Sequence, residues 1–310
     1  MEKSILVLMS TYNGEKYLKE QIDSIIAQNG VKVYLLIRDD GSSDNTCEII
    51  ENYQKNEGSK IIEFIKGENI GFGNSFSDLV KRAYELSLNN QPFDYYAFAD
   101  QDDVWMENKL SVAAATLDKY EDNEPLLYCS NSTLVDENLN IIGYYKNKFY
   151  TPTKGNALVE GFANGCTMVY NLEALKLYAE NIIPEMKVHD FYLYQAVTLL
   201  GKTIYDKESY IYYRQHGSNQ IGKQSIYLRW KRRFKGEIKY EIRDIQQKNY
   251  YLLKSIGHLL PSRDVELISK IAFYYKDLKS KMRLIIDRDI KYSTIKTNII
   301  VTIKILLGIF

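Results

Sequence analysis

Through about the first hundred residues, short apolar runs alternate with longer segments whose apolar positions recur every three or four residues. Ile5-Leu6-Val7-Leu8-Met9 predicts a buried strand, and Glu15 to Ala27 predicts a helix. Val33 to Arg38 predicts the next strand, followed by a helix from about Asp44 to Gln54. Ile61 to Ile65 is a third strand, Asn74 to Leu88 a third helix and Tyr95 to Ala99 a fourth strand. Strands alternating with helices imply βαβ crossovers in a largely parallel sheet, an α/β fold. Near-continuous apolar strands suit a sheet covered on both faces.

Beyond Trp105 the pattern loosens. Asn108 to Lys119 reads as helix, Leu126 to Ser130 as extended, Asn138 to Pro152 as loop, Cys166 to Tyr170 as strand and Leu172 to Glu180 as helix. From about Ile221 the chain turns to long segments rich in Lys, Arg, Ile and Leu. Two domains follow: residues 1–220, and a helical region, residues 221–310.

Polar residues gather directly after three of the strands: Ser10-Thr11-Tyr12-Asn13-Gly14, Asp39-Asp40-Gly41-Ser42-Ser43-Asp44 and Asp100-Gln101-Asp102-Asp103. In open α/β sheets the ligand crevice lies outside the carboxyl ends of the strands. Three polar clusters at three such ends therefore read as one site. Two carboxylates one residue apart, as in Asp100-Gln101-Asp102, can hold a hard divalent cation through oxygen. Bridging a diphosphate, such an ion would neutralise charge as that group departs. A lone D-x-D is more often a solvated acidic turn, and the two companion clusters reverse that preference. A carboxylate at Asp39-Asp40 can accept hydrogen bonds from a base or ribose, and Gly41 permits the turn. The spacing Asp40, Ser42, Asp44, Glu51 mimics a calcium loop, but Asn45 stands where that loop needs Gly and a strand precedes it. Gly71-Phe72-Gly73 lacks the third glycine of a dinucleotide fingerprint, and no Walker-type G-x-x-x-x-G-K-[ST] is present, so nicotinamide chemistry and triphosphate hydrolysis are poorly supported.

The bulk numbers narrow the class further. Forty basic residues balance forty acidic ones in 310 residues, which argues against a phosphate-tracking nucleic-acid binder. Three cysteines, Cys47, Cys129 and Cys166, imply neither a disulfide framework nor a zinc site and fit a reducing compartment. No secretory signal is read, because the run Ile5–Met9 is short and polar residues follow at once. No stretch reaches the roughly 18 to 20 apolar residues of a spanning helix. Ile299 to Phe310 is apolar except for Thr302 and Lys304, and Arg229-Trp230-Lys231-Arg232-Arg233-Phe234-Lys235 is a basic cluster with two aromatics. Both suit peripheral contact with an anionic membrane surface, although a solvated helix face or an oligomer contact would read the same way.

With these residues in view, the chain resembles the family 2 inverting glycosyltransferases of the GT-A fold from about Lys3 to Gly222. The resemblance is carried by Ser10-Thr11-Tyr12-Asn13-Gly14-Glu15-Lys16-Tyr17-Leu18, Asp39-Asp40-Gly41-Ser42, Ala99-Asp100-Gln101-Asp102-Asp103-Val104-Trp105, Gly165-Cys166-Thr167-Met168, His189-Asp190 and Tyr213-Arg214-Gln215-His216-Gly217-Ser218-Asn219. Each is weak alone; their order and spacing together are specific. Within the family the variants look most like bacterial rhamnosyltransferases of surface-polysaccharide assembly.

The resemblance implies that Thr11, Tyr12, Asn13 and Glu15 line the nucleotide pocket, that Asp40 contacts the base, and that Asn69, Gly71 and Asn74 border the pocket. Asp100, beside Gln101, would touch the ribose or a metal-bound water, and Asp102 would bind Mg²⁺ or Mn²⁺. Asp190 matches the catalytic base, where many relatives carry Glu-Asp and this chain has His189-Asp190. His216 falls where some relatives supply another metal ligand, and a structural histidine is an equal reading there. The Q-x-x-R-W segment of many relatives is absent, which favours transfer of a single sugar. The donor expected first is dTDP-rhamnose, with UDP-hexoses close behind, and the acceptor is a hydroxyl of a lipid-linked or growing surface glycan at the cytoplasmic face of the membrane. A nucleotidyltransferase would favour a glycine-rich basic first loop. A non-catalytic nucleotide or sugar-binding module would need no base at Asp190.

Overall fold

The computed structural model describes residues 2–56, 60–89, 92–145, 153–161, 164–185, 188–216 and 244–310. It contains two compact units. One comprises residues up to Arg214 apart from the segment 153–161, and the other comprises that segment and the chain from Gln215 onward. The expected boundary at residue 221 and the basic cluster Arg229–Lys235 lie outside the described residues.

The first unit begins β1 (Lys3–Thr11), α1 (Leu18–Ile26), β2 (Val31–Asp39), α2 (Thr46–Asn56), β3 (Ile61–Lys66), α3 (Phe72–Asn89) and β4 (Tyr95–Ala99). These four strands are parallel in the order β3-β2-β1-β4. Ile5–Met9 of β1 and Tyr95–Ala99 of β4 are buried throughout, which is why neither strand alternates. α1 and α3 cover the sheet with apolar stripes, Leu18, Ile22 and Ile25 on one and Phe76, Leu79, Val80 and Ala83 on the other. Each large side chain so buried contributes about 1.5–3 kcal/mol. α1 starts later than its hydrophobic period suggests, because Glu15 is drawn out of the helix to accept from Asn45 N at 3.0 Å.

The chain continues through β5 (Val104–Trp105), α4 (Lys109–Leu117), β6 (Leu126–Val135), β7 (Ile141–Tyr144) and α5 (Lys154–Ala157), a helix of the second unit. It returns with a 3₁₀ turn at Gly165–Thr167, β8 (Val169–Tyr170), α6 (Leu172–Glu180), α7 (His189–Leu200) and β9 (Lys202–Arg214). The sheet extends from β4 through β8, β6 and β9 to β5, with β7 on β6. β8 runs antiparallel to both β4 and β6, while β9 is parallel to β6. The segment Cys166–Tyr170 is thus only partly strand, since Gly165–Thr167 closes a 3₁₀ turn first. β6 runs past Ser130 to Val135, and Ile141–Tyr144 pairs with it inside a segment that reads as loop.

The described part of the second unit is helical: α8 (Asp244–Ile256), α9 (Ser262–Ala272), α10 (Leu278–Ile286) and α11 (Ile295–Leu307). Leu252, Ile256, Ile268, Ile271 and Tyr274 form its apolar interior. Residues 153–161 are tied into these helices by Lys154–Asp264 at 2.6 Å, Asn249 Nδ2 to Leu158 O at 2.8 Å, and Ser293 N and Oγ to Glu160, each at 2.8 Å.

Candidate active site

β1 is flanked by β2 on one side and β4 on the other, and successive connections leave it in opposite directions. That reversal opens a crevice at the carboxyl ends of the strands, where all three polar clusters sit.

On the β1–β2 side, nearly every polar atom is paired. Asp39 accepts from Thr11 Oγ1 at 2.9 Å, Ser42 N at 2.8 Å, Ser42 Oγ at 2.6 Å and Gly41 N at 3.2 Å. Asp40 accepts from Arg38 Nη1 at 2.5 Å, Ile70 N at 3.0 Å and Gly71 N at 2.9 Å. Asn13, in left-handed backbone at φ 49°, accepts from Ser43 N and gives its own amide to Ser42 Oγ. Gly41 has φ +81°, and a Cβ there would stand 3.0 Å from Asn69 N, so only glycine lets the two loops meet. Asn74 Nδ2 donates to Ile70 O at 2.8 Å. Gln101 crosses to this side: Tyr12 N donates to its Oε1 at 2.8 Å and its Nε2 donates to Tyr12 O at 2.9 Å. The Tyr12 ring is left 41% exposed at the mouth, with Asn69 and Gly71 also exposed.

Asp40 therefore lies on the floor of the loops. Its carboxylate is buried, and both oxygens are engaged in holding residues 70–71, whereas the sequence suggested a contact with the base. Asp39, which the sequence offered with Asp40 as an acceptor for a base or ribose, is the hub of the β2 turn. Glu15 likewise holds Asn45, through N at 3.0 Å and Nδ2 at 2.9 Å.

The β4 side is built differently. Asp100 sits half-buried, and its carboxyl is pushed up to about 7 by desolvation and then by the negative charges of Asp102 and Asp190. Asp190, in the first turn of α7, is thus brought near Asp100 from far along the chain. Its Oδ2 accepts from Gly165 N at 3.1 Å and its Oδ1 from Phe191 N at 2.7 Å. His189, one residue earlier, is buried in an aromatic box, stacked on Phe76 at 3.8 Å and edge-on to Phe98 at 4.9 Å. Neither ring nitrogen has a hydrogen-bond partner among the described residues, and burial lowers the imidazole to about 4. The ring is a packing wedge that fixes where α7 begins.

Beneath Asp102 the floor is held by Arg214. Its backbone N–H donates to Asp103 Oδ1 at 3.1 Å, Nε to Asp102 O at 2.9 Å and Nη1 to Glu137 O at 2.6 Å. Nη2 pairs with Glu20, and the guanidinium lies over the Tyr17 ring at 4.5 Å. This one buried side chain fixes the backbone of the D-x-D loop. The sequence placed Arg214 in a motif without a role for it. Asp103 is fully buried, its Oδ2 has no hydrogen-bond partner among the described residues, and desolvation followed by Asp102 and Asp100 pushes its carboxyl well up. Lys109 is buried nearby with Nζ 3.5 Å from the centre of the Trp105 ring, and burial lowers its ammonium to about 7.

Three carboxylates gathered at one sheet end, one with a strongly raised proton affinity, are a set that a divalent cation relieves. Asp100 and Asp102 offer oxygen donors suited to Mg²⁺ or Mn²⁺. Asp100, Asp103 and Cys166 also approach one another within 4.8 Å, but Cys166 is buried and its thiol is pushed well above its ordinary value, which keeps it protonated. His216 belongs to the second unit.

Residues 6–177 match the model of glycosyl transferase family 2. The chain belongs to that family. This family 2 transferase is 34% identical over 230 residues to the dTDP-rhamnosyl transferase RfbG of Shigella flexneri, a match covering 69% of this chain and 73% of that protein. It is 27% identical over 196 residues to the Escherichia coli UDP-Glc:alpha-D-GlcNAc-diphosphoundecaprenol beta-1,3-glucosyltransferase WfgD, covering 62% and 69% of the two chains. Among solved structures, Staphylococcus aureus TarS 1-349 in complex with UDP-GlcNAc superposes with a TM-score of 0.55 at 17% identity, over 86% of this chain and 70% of that one. The Pyrobaculum calidifontis mannosyltransferase PcManGT in complex with GDP-Man and Mn²⁺ gives 0.51 at 12% identity, over 99% and 86%. The fold of the family 2 transferase is GT-A, a mixed and mostly parallel sheet flanked by helices, with further helices toward the C-terminus. No helix among its described residues is long and apolar enough to cross a membrane.

Proposed function

We propose that this glycosyltransferase moves a single sugar, rhamnose from dTDP-rhamnose, onto a hydroxyl of a lipid-linked or growing surface glycan, with inversion at the anomeric carbon. The observation that carries the mechanism is Asp190, held on Gly165 N at 3.1 Å and near enough to Asp100 for its charge to raise that carboxyl. Asp190 takes the proton of the acceptor hydroxyl as that oxygen forms its bond to the anomeric carbon. The bond from that carbon to the diphosphate oxygen breaks on the opposite face, and the nucleoside diphosphate leaves with the electron pair. Holding both substrates in line removes much of the entropic barrier. One base and one attack give one inversion. Asp102, with Asp100 beside it, would hold Mg²⁺ or Mn²⁺, which would supply charge neutralisation for the departing diphosphate.

On the donor side, the Tyr12 ring, Asn69, Gly71 and Asn74 form the rim offered to the nucleotide. Thr11, Asn13, Glu15, Asp40 and Gln101 act by holding that rim in place. The similarity to RfbG favours a thymidine diphosphate donor. The similarity to WfgD supports a UDP-hexose donor as the second reading on the same residues, and also favours a lipid-linked acceptor.

A thermal-shift panel of nucleotide-sugars, each with and without Mn²⁺, tests the proposal. The expected outcome is stabilisation by dTDP-rhamnose that needs the metal and disappears in Asp102→Ala. Stabilisation by a UDP-hexose instead moves the donor to the second reading. Silence across the whole panel overturns the transferase site as drawn.

A further inference from the structure

The last helix of the second unit faces the wrong way for a protein in water. α11 turns Ile295, Ile299, Ile300, Ile303, Leu306 and Leu307 outward, each between 47% and 81% exposed. Its inward side carries Asn298, Val301, Thr302 and Ile305, and the polar members are consumed internally. Asn298 pairs with both the N–H and the carbonyl of Tyr292 at 2.9 and 2.8 Å, and Thr302 donates to Asn298 O at 2.9 Å. The orientation is fixed. Thr294 caps the start by accepting from Thr297 N, Gly308 ends the helix in left-handed backbone, and Lys281 Nζ of α10 donates to Leu306 O at 2.8 Å. α10 runs back along α11 and repeats the arrangement: Leu278, Met282 and Ile286 form an exposed stripe at helical spacing, with exposed Lys279 and Arg283 beside it. An exposed apolar face of this extent on two adjacent helices marks a surface that something covers.

We infer that the outward faces of α10 and α11 dock on a bilayer rich in anionic phospholipid. Charge selects this occupant. The two helices carry Lys279, Lys281, Arg283, Lys296 and Lys304 and no carboxylate, in a chain whose acidic and basic residues balance overall at forty each. Cations flanking an apolar stripe match negative headgroups above an acyl boundary. Length decides the mode of contact. Thirteen residues of α11 extend about 20 Å, against about 30 Å of hydrocarbon, so the helix lies in the interface and does not span it. The purpose of the contact, holding the enzyme where a lipid-linked acceptor resides, rests on the proposed function; the contact itself does not.

Co-sedimentation of the full chain with vesicles tests the inference, using phosphatidylcholine alone and phosphatidylcholine mixed with phosphatidylglycerol. The wild type is expected on the phosphatidylglycerol vesicles, and the double variant Ile299→Glu/Ile303→Glu is expected to lose at least about tenfold in partitioning. Lys279→Glu/Arg283→Glu should lose binding mainly at low salt, where headgroup attraction is strongest. All four side chains are exposed, so unchanged melting temperatures identify these losses as surface effects. The inference is overturned if the wild type stays in solution with both vesicles, or if the isoleucine variant binds as the wild type does. A wild type that ignores vesicles and runs as a dimer, split by the isoleucine variant, overturns it in favour of self-association. No donor or acceptor enters this assay, so its failure is separable from failure of the nucleotide-sugar panel.

Discussion

The β1–β2 side of the crevice and the β4–α7 side use the same materials, carboxylates and small polar groups at strand ends, yet they are satisfied to different degrees. Asp39 and Asp40 together accept seven hydrogen bonds from the loops around them. Across the crevice, burial and the charges of Asp102 and Asp190 raise the proton affinity of Asp100, and Asp103 Oδ2, Lys109 Nζ and both nitrogens of His189 are buried without hydrogen-bond partners among the described residues. Paired groups hold a shape. Unpaired ones, costly in a folded protein, accumulate where function is worth more than stability. The first side is a cradle closed by its own hydrogen bonds, and the second keeps buried polar atoms that its own chain does not satisfy.

The sharpest way to break this comparison is to remove one carboxylate from each side. Asp190→Ala should lower turnover by about 10²- to 10⁴-fold if, as proposed, it removes the base. Its melting temperature should hold or rise, because a charge that crowds Asp100 is gone. Asp40→Asn should do the reverse. It leaves the buried Arg38 guanidinium only the half-exposed Asp78 carboxylate at 3.6 Å and should cost about 3 kcal/mol of stability. Paired melting curves and turnover assays check both. If Asp190→Ala destabilises as much as Asp40→Asn, the two sides do not differ in kind.

A smaller effect tests placement alone. A Cβ on Gly165 would stand 2.8 Å from His189 Nε2 and 3.2 Å from Asp190 Cβ, and the imidazole cannot yield because Phe76 and Phe98 enclose it. Gly165→Ala should therefore shift Asp190 without removing it. The expected loss is about 100-fold in kcat, the order that follows from misplacing a reacting group by an ångström, with donor binding unchanged. Steady-state kinetics with the donor dissociation constant measured separately distinguish this from a general weakening of the site.

The cradle was legible in the sequence because its strands are continuous apolar runs and its polar residues follow them directly. The inward burial of Asp40 had a local signal as well: Arg38 lies two residues earlier, the spacing at which an extended chain turns two side chains the same way. β9 was harder to see. Its sequence KTIYDKESYIYYR mixes charged and aromatic residues, and its pairing with β6 shifts register on both sides of Asn131, so no steady alternation survives. β6 hid its second half for a related reason, since Ser130, Asn131, Ser132 and Thr133 are polar and nevertheless buried. The anchoring by Arg214 had no local signal at all, because its partners Glu20, Asp102, Asp103 and Glu137 come from three distant stretches of chain.

The smallest expected effect isolates the aromatic box. The imidazole of His189 titrates at about 4 when folded, against 6.5 for an ordinary histidine, so between those values the unfolded chain binds a proton that the folded chain refuses. Its contribution to stability is therefore complete above pH 6.5 and is lost as pH falls toward 4. His189→Phe replaces the ring with one of similar shape and no nitrogens, so near neutral pH the variant should melt within about 1 kcal/mol of the wild type. On acidification the wild type should weaken faster, and by about pH 5 the gap between the two should have widened by about 2 kcal/mol in favour of the variant. The carboxylates titrate in both proteins, so the difference between the two melting profiles reports the imidazole. Parallel profiles across the whole window would mean that the box admits a proton or a water, and that this part of the β4 side is better satisfied than its unpaired nitrogens indicate.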